Sequence, residues 1–81
     1  MKVFRANNQL KKERESFGFT LMDLSEATGL HYSYLSGVEN RSRNVKERNA
    51  LKIAMFFGRP LLELFDIYGV KFEDGRTTIS R

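Results

Sequence analysis

The 81-residue sequence contains no cysteine and no tryptophan, and it has only one proline and one histidine. Without cysteine the chain forms neither a disulfide nor a thiolate metal site, and the lone His31 cannot build a metal site by itself. No apolar run approaches the roughly 20 residues of a membrane span. The first residues also lack the apolar core of a signal peptide. These absences predict a cytoplasmic protein that uses no metal or other cofactor.

The sequence also lacks the residue combinations that catalysis requires. It shows no phosphate-binding loop, no nucleophile with a base and no acid–base pair, so we do not expect an enzyme. The net charge of +4 and the isoelectric point near 9.7 favour a polyanionic partner instead. A chain this short forms one small domain with a modest buried surface, which dimerisation would enlarge.

The most informative stretch, residues 17–39, predicts two short helices joined by a tight turn. Thr20 can cap the first helix, and Asp23, three residues later, can complete a capping box. Gly29 stands where a helix needs a left-handed exit residue. The outer face of the second helix is small or hydrogen-bonding, as suits a helix in a DNA groove. This is the layout of a helix-turn-helix DNA reader.

Further helices are predicted on either side of this unit. Residues 8–16 form a charged first helix, in which Arg14 can pair with an internal carboxylate such as Glu39. Asn44 is predicted to cap a fourth helix, and a short fifth helix follows Pro60. The residues expected on the inward stripe of the fourth helix are Leu51, Ala54 and Phe57.

The C-terminal tail leaves two interpretations open. Asp74-Gly75 is the strongest short hairpin signal, and a two-residue turn there would pair Val70 with Ile79. Because an isolated hairpin is marginal in water, it needs a partner surface, for which the N-terminal Lys-Val-Phe-Arg is the candidate third strand. The alternative is a partly frayed tail.

The helix-turn-helix residues resemble those of a known family. The motif Leu24-Ser-Glu-Ala-Thr-Gly-Leu-His-Tyr-Ser-Tyr-Leu-Ser-Gly-Val-Glu39 is similar to that of the Cro/C1-type (xenobiotic-response-element) regulators. Leu51-Lys-Ile-Ala-Met-Phe-Phe-Gly resembles the family's fourth helix. The resemblance implies an all-α, five-helix, lambda-repressor-like domain over residues 8–65, followed by a tail over residues 66–81. It implies a DNA-binding transcriptional regulator that acts as a homodimer on a palindromic double-stranded operator.

Within the family, Tyr34-Leu-Ser-Gly-Val-Glu followed by Ser42-Arg-Asn44 is most similar to the small controller proteins of restriction–modification systems. Phage and plasmid repressors and antitoxins share much of this string and remain alternatives. A protein-interaction module of the same fold that binds no DNA is a further alternative, against which the basic residues 40–44 argue. Gly37 and Tyr32 replace positions that are often basic in relatives, so the recognition helix offers no arginine for direct readout.

The expected DNA contacts fall on the recognition helix, the loop after it and the neighbouring helix starts. Arg43 is the strongest candidate, because an arginine can grip guanine with two parallel hydrogen bonds. Its alternative role is a phosphate contact without sequence information. The residues expected to contact bases are Tyr32, Ser33, Ser36 and Arg43. Those expected to contact phosphates are Thr20, Tyr34, Asn40, Arg41, Asn44 and Lys46. Tyr34 could instead pack in the core, and His31 is expected to cap the recognition helix.

Three further apolar residues, Met55, Phe56 and Leu62, predict a dimer interface. They are extra to the inward stripe of the fourth helix, and near one end of the domain they would form an exposed patch, which is the usual mark of an interface. Two-fold symmetry would then place two recognition helices about one DNA turn, roughly 34 Å, apart. The alternative is that the tail covers this patch within one chain.

Overall fold

The protein combines a five-helix domain with a small antiparallel sheet. The computed structural model describes residues 2–71 and 77–79, with the side chains of residues 2–70. The helices are α1 (Asn8–Ser16), α2 (Leu21–Thr28), α3 (Tyr32–Glu39), α4 (Glu47–Phe57) and α5 (Leu61–Leu64). The strands are β1 (Lys2–Ala6), β2 (Val45–Lys46), β3 (Phe65–Lys71) and β4 (Thr77–Ile79). The expected helical domain is therefore present, but the expectation of an all-α fold is wrong.

The sheet has the strand order β2-β1-β3-β4 and is antiparallel throughout. The predicted third strand at the N-terminus is present as β1, which pairs with β3 on one side and with β2 on the other. In the second pairing Phe4 lies opposite Val45. The two residues of β2 are too few to show an alternating pattern, so this strand could not be predicted from the residue pattern.

The tail forms a strand pair, but not in the predicted register. Val70 lies opposite Thr78, and Ile79 lies opposite Gly69, so the predicted pair of Val70 with Ile79 is wrong by one residue. On its other edge β3 pairs with β1 from Phe65 to Val70, with a register shift opposite Val3 and Phe4, so the turn toward β4 is not the only constraint on the position of β3. The predicted turn at Asp74-Gly75 lies outside the described residues.

One hydrophobic core joins the helices to the sheet. Phe4 of β1, Val45 of β2 and Phe65 of β3 have exposed fractions of at most 1%. They belong to the same cluster as the inward residues of the helices, which include Leu10, Leu24, Leu35, Val38, Ile53, Phe57 and Leu64. Because the strands and the helices share this core, the sheet is part of the folded unit.

The helix-end signals predicted at Thr20, Gly29 and His31 are confirmed. The Thr20 hydroxyl accepts the Asp23 N–H at 3.1 Å, and the Thr20 N–H donates to the Asp23 carboxylate at 2.8 Å. Gly29 ends α2 in the left-handed region with φ 75°, and Gly58 ends α4 with φ 66°. His31 is the N-cap of α3, as expected. These ends fix the length and direction of α2 and α3.

The predicted start of α4 is wrong. The helix begins only after Lys46, its N-cap, because the chain stays extended in β2 up to that residue. The Lys46 side chain has no acceptor and makes no capping hydrogen bond. The Asn44 side chain accepts a hydrogen bond from Arg5 instead of capping a helix. Leu51 is also 42% exposed and does not face inward, whereas Ile53 takes its place in the core.

Candidate nucleic-acid interface

Helix α3 buries one face and leaves its first turn open. Leu35 and Val38 are buried in the core, which holds α3 against it. At the other end of the helix Ser33 is exposed and Tyr32 is 48% exposed. The first turn of α3 can therefore approach a ligand while the rest of the helix supports it.

The turn before α3 organises the predicted base-contacting residues at its start. The His31 Nδ1 atom accepts the Ser33 N–H at 3.1 Å and lies 2.7 Å from the Ser33 hydroxyl oxygen. The His31 ring also stacks on the Tyr32 ring, with centroids 5.0 Å apart. Tyr32 and Ser33 are thus held together at the N-terminal end of α3.

The C-terminal end of α3 is fixed to α1 by an ion pair. Arg14 donates to the Glu39 carboxylate from Nε at 2.6 Å and from Nη2 at 3.0 Å, and both side chains are largely buried. Its Nη1 donates to the Phe19 carbonyl at 2.7 Å, just before α2. The hydrogen bond with Glu39 raises the pKa of Arg14, so the guanidinium stays charged. The predicted pairing of these residues is confirmed, and it sets the orientation of α3.

Residues 40–44, which we call the basic loop, follow α3 in a tight conformation. The Ser42 N–H donates to the Gly37 carbonyl and to the Asn40 side chain, each at 3.0 Å. Arg41 has φ 66°, a left-handed conformation that residues other than glycine seldom adopt. The exposed side chains of Arg41 and Arg43 give this loop its positive charge.

Arg43 lies against the recognition helix. A Cβ atom added to Gly37 would stand 2.9 Å from the Arg43 Cγ atom and 3.1 Å from its Cδ atom. The Arg43 guanidinium is 5.8 Å from the centre of the Tyr34 ring. Tyr34 packs against the core, and its hydroxyl accepts a hydrogen bond from Asn49 at 3.3 Å. The glycine in α3 therefore makes room for an arginine that comes from outside the helix.

The remaining predicted contact residues occupy different surroundings. Thr20 is exposed at the start of α2, with its hydroxyl in the capping box. Ser36 is half-buried in a groove whose walls include Leu21 and Asn40. Lys46 is exposed at the start of α4. The structure thus places Tyr32 and Ser33 in the first turn of α3, Arg43 against Gly37 of the same helix, and Thr20 and Lys46 at the starts of two other helices.

Sequence reasoning missed two features of this site. The contact between Gly37 and Arg43 was not foreseen, because nothing in the sequence reports that a loop side chain folds back onto α3. Arg5 was not recognised either, although it hydrogen-bonds the basic loop at both Arg41 and Asn44. It lies 36 and 39 residues away from these partners along the chain.

A comparison with protein-family models identifies the class. A model described as helix-turn-helix matches residues 10–64, which is more than half of the chain, and the chain belongs to this family of Cro/C1-type helix-turn-helix regulators. It is accordingly a DNA-binding regulator of this type. A search of curated proteins found no match to the chain. Among the described residues, every helix is too short or too polar to span a bilayer.

Proposed function

We propose that the protein is a sequence-specific transcriptional regulator that binds duplex DNA with α3 and the basic loop. The observation that carries the proposal is the position of Arg43 against Gly37. Through this contact a bidentate base-reading group lies on a helix that has no basic residue of its own. The first turn of α3, which is the part that meets base edges in this geometry, is open beside it.

The contacts divide into those that position the protein and those that specify the sequence. The base-reading set in this proposal is Tyr32, Ser33, Ser36 and Arg43. The phosphate-binding set is Thr20, Tyr34, Asn40, Arg41, Asn44 and Lys46. Affinity would come from neutralised phosphates and fall steeply with salt. Since the base-reading set is small, the deformability of the operator would add specificity at positions that the protein does not touch.

The contact between Gly37 and Arg43 leads to an unusual prediction for Gly37→Ala. Alanine favours the interior of a helix by about 0.5–1 kcal/mol over glycine, so the free energy of unfolding should stay the same or rise. The added methyl group would displace Arg43, and the preference for the operator should fall by about tenfold. Thermal unfolding measures the first effect. Fluorescence anisotropy with a duplex selected from a random library by the wild-type protein, and with a shuffled duplex of equal composition, measures the second.

A double-mutant cycle gives the control for this prediction. If Gly37 acts by making room for Arg43, adding Gly37→Ala to an Arg43→Ala variant should cause no further loss of preference. Additive losses would show that Gly37 contributes in another way, such as direct contact between its backbone and the DNA.

We further propose that the regulator acts as a homodimer on a palindromic operator. Met55 and Leu62 are 76% and 62% exposed, and Phe56 is 37% exposed. Leu51, one turn before Met55, is exposed as well, which enlarges the apolar patch. In the described part of the chain, the tail strand β3 pairs with β1 and leaves these side chains accessible. A second copy would remove this patch from water.

The double variant Met55→Glu/Leu62→Glu is expected to weaken dimerisation by at least about tenfold, because two charges would enter an apolar contact. Sedimentation equilibrium over a concentration range measures the dissociation constant. Met22→Glu is the matched control, since this methionine is 52% exposed on α2, outside the patch. A wild-type protein that is monomeric across this range, or a double variant that dimerises normally, would contradict the proposed interface.

A narrower proposal is that the protein is a controller of a restriction–modification system. The string around Tyr34 and Arg43 supports it. The sheet argues against it, because the controllers that the sequence resembles are all-helical. The neighbouring genes distinguish a controller from a phage repressor, a plasmid repressor or an antitoxin.

A further inference from the structure

We infer that Arg5 is a positioning residue for DNA readout, which holds the basic loop in the shape that aims Arg43. This inference rests on the proposed function. Arg5 lies in β1, before residues 10–64 that match the family model, so the family resemblance gives it no role. The structure places its guanidinium against the loop that carries Arg43.

The Arg5 guanidinium donates hydrogen bonds to two residues of the basic loop. Its Nη1 donates to the Arg41 carbonyl at 2.8 Å, and its Nε donates to the Asn44 side-chain oxygen at 2.9 Å. Arg43 lies between these two points along the chain. The planar guanidinium of Arg5 therefore constrains the loop on both sides of Arg43, the proposed base-reading residue.

The hydrogen bond from Arg5 to the Arg41 carbonyl supports a residue whose backbone conformation is unfavourable. Arg41 has φ 66°, and a residue other than glycine stays in this region only when its surroundings hold it there. The Arg41 N–H donates to the Val38 carbonyl at 3.1 Å, and the Arg41 carbonyl accepts from Arg5. Both sides of the left-handed residue are therefore hydrogen-bonded, one side to α3 and the other to the sheet.

The sheet holds the Arg5 guanidinium in turn. The guanidinium carbon lies 4.1 Å from the centre of the Tyr68 ring on β3, which is within the range of a cation–π contact. The backbone of Arg5 is fixed because β1 pairs with β2 and with β3. The two hydrogen-bonded donors and the stacked face are used within the protein, so Arg5 acts on DNA through the loop.

Arginine and lysine differ at such a position. The guanidinium fork holds two acceptors in a fixed geometry and stacks on an aromatic ring, whereas an ammonium group is a point charge on a flexible stem. Arg5→Lys therefore keeps the charge but loses the fixed two-acceptor geometry and the stacking on the ring. Tyr68→Phe keeps the ring and serves as a conservative variant. Lys2→Ala removes a positive charge from the same strand, where Lys2 is exposed, and controls for long-range electrostatics.

The first test needs no DNA. Trypsin cleaves after arginine, so a loosened basic loop should be cut faster after Arg41 and Arg43. In folded Arg5→Lys and Arg5→Ala, mass spectrometry should show cleavage at these two sites about tenfold faster than in the wild type, since local opening exposes the loop. Tyr68→Phe and Lys2→Ala should match the wild type. Unchanged cleavage in both Arg5 variants would overturn the claim that Arg5 holds the loop.

The second test measures readout with the selected and the shuffled duplex. Arg5→Lys should lower the preference for the selected duplex by about tenfold and leave the affinity for the shuffled duplex within about twofold, because base contacts alone carry sequence information. Tyr68→Phe should retain the preference. Equal losses on both duplexes, or an unchanged preference despite faster cleavage, would overturn the role in readout. A wild-type protein without any preference would refute the proposed function itself, while the cleavage result would still decide whether Arg5 holds the loop.

Discussion

Replacing Arg43 with alanine is expected to cause a large loss of the sequence preference of the protein. Arg43 is exposed, and its side chain runs across Gly37 on the recognition helix. A bidentate arginine–guanine contact contributes about 1–3 kcal/mol of discrimination against the wrong base. This corresponds to a loss of preference of about fivefold to 150-fold between the selected and the shuffled duplex. Anisotropy titrations with both duplexes measure it.

Arg43→Lys separates base reading from charge in the same titrations. Lysine keeps the charge but lacks the guanidinium fork, so it should bind the shuffled duplex like the wild type and still lose preference for the selected one. If Arg43 contacts only a phosphate, Arg43→Ala should weaken binding to both duplexes equally and reduce the salt slope by about one. That result would refute the assignment of Arg43 as a base reader.

The largest expected effect on stability is that of Phe4→Ala. Phe4 is 1% exposed in the core that β1 shares with the helices, and truncation of such a buried phenylalanine costs about 3–5 kcal/mol. Domains have total stabilities of about 5–15 kcal/mol, so a large part would be lost. We expect the midpoint of thermal unfolding to fall by at least about 12 °C, as calorimetry or circular dichroism can measure.

Ile67→Ala is the matched control for this prediction. Ile67 pairs with Phe4 across the sheet, but its side chain is 39% exposed. Its truncation should cost about 1 kcal/mol or less, since little buried apolar surface is lost. If Phe4→Ala unfolded at the wild-type temperature, the strand would not belong to the cooperative core.

The sequence predicted the helices well because their signals are local. The capping box of Thr20 with Asp23 and the left-handed exits at Gly29 and Gly58 each depend on a few neighbouring residues. The sheet was predicted only in part, since strand pairing joins segments far apart in the chain. The start of α4 was missed for the same reason, because Val45 pairs with Phe4 and delays the helix.

The features of the site also divide into those with a local signal in the sequence and those that depend on contacts between distant segments. His31 as the cap of α3, and the pair of Arg14 with Glu39, could be anticipated from residue type and family position. The placement of Arg43 over Gly37 and the grip of Arg5 on the loop could not, because both depend on where a side chain from another element comes to rest. The sequence shows which side chains are available, but their contacts depend on how the helices and strands pack.

Sequence-specific DNA binding by this protein is decided by a pair of anisotropy titrations with the wild-type protein at two salt concentrations. One uses the selected duplex and the other the shuffled duplex. A sequence-specific regulator should prefer the selected duplex by about a thousandfold or more, with affinities that fall steeply as salt increases. Equal, salt-sensitive binding to both duplexes, or no binding to either at low salt, would contradict sequence-specific binding.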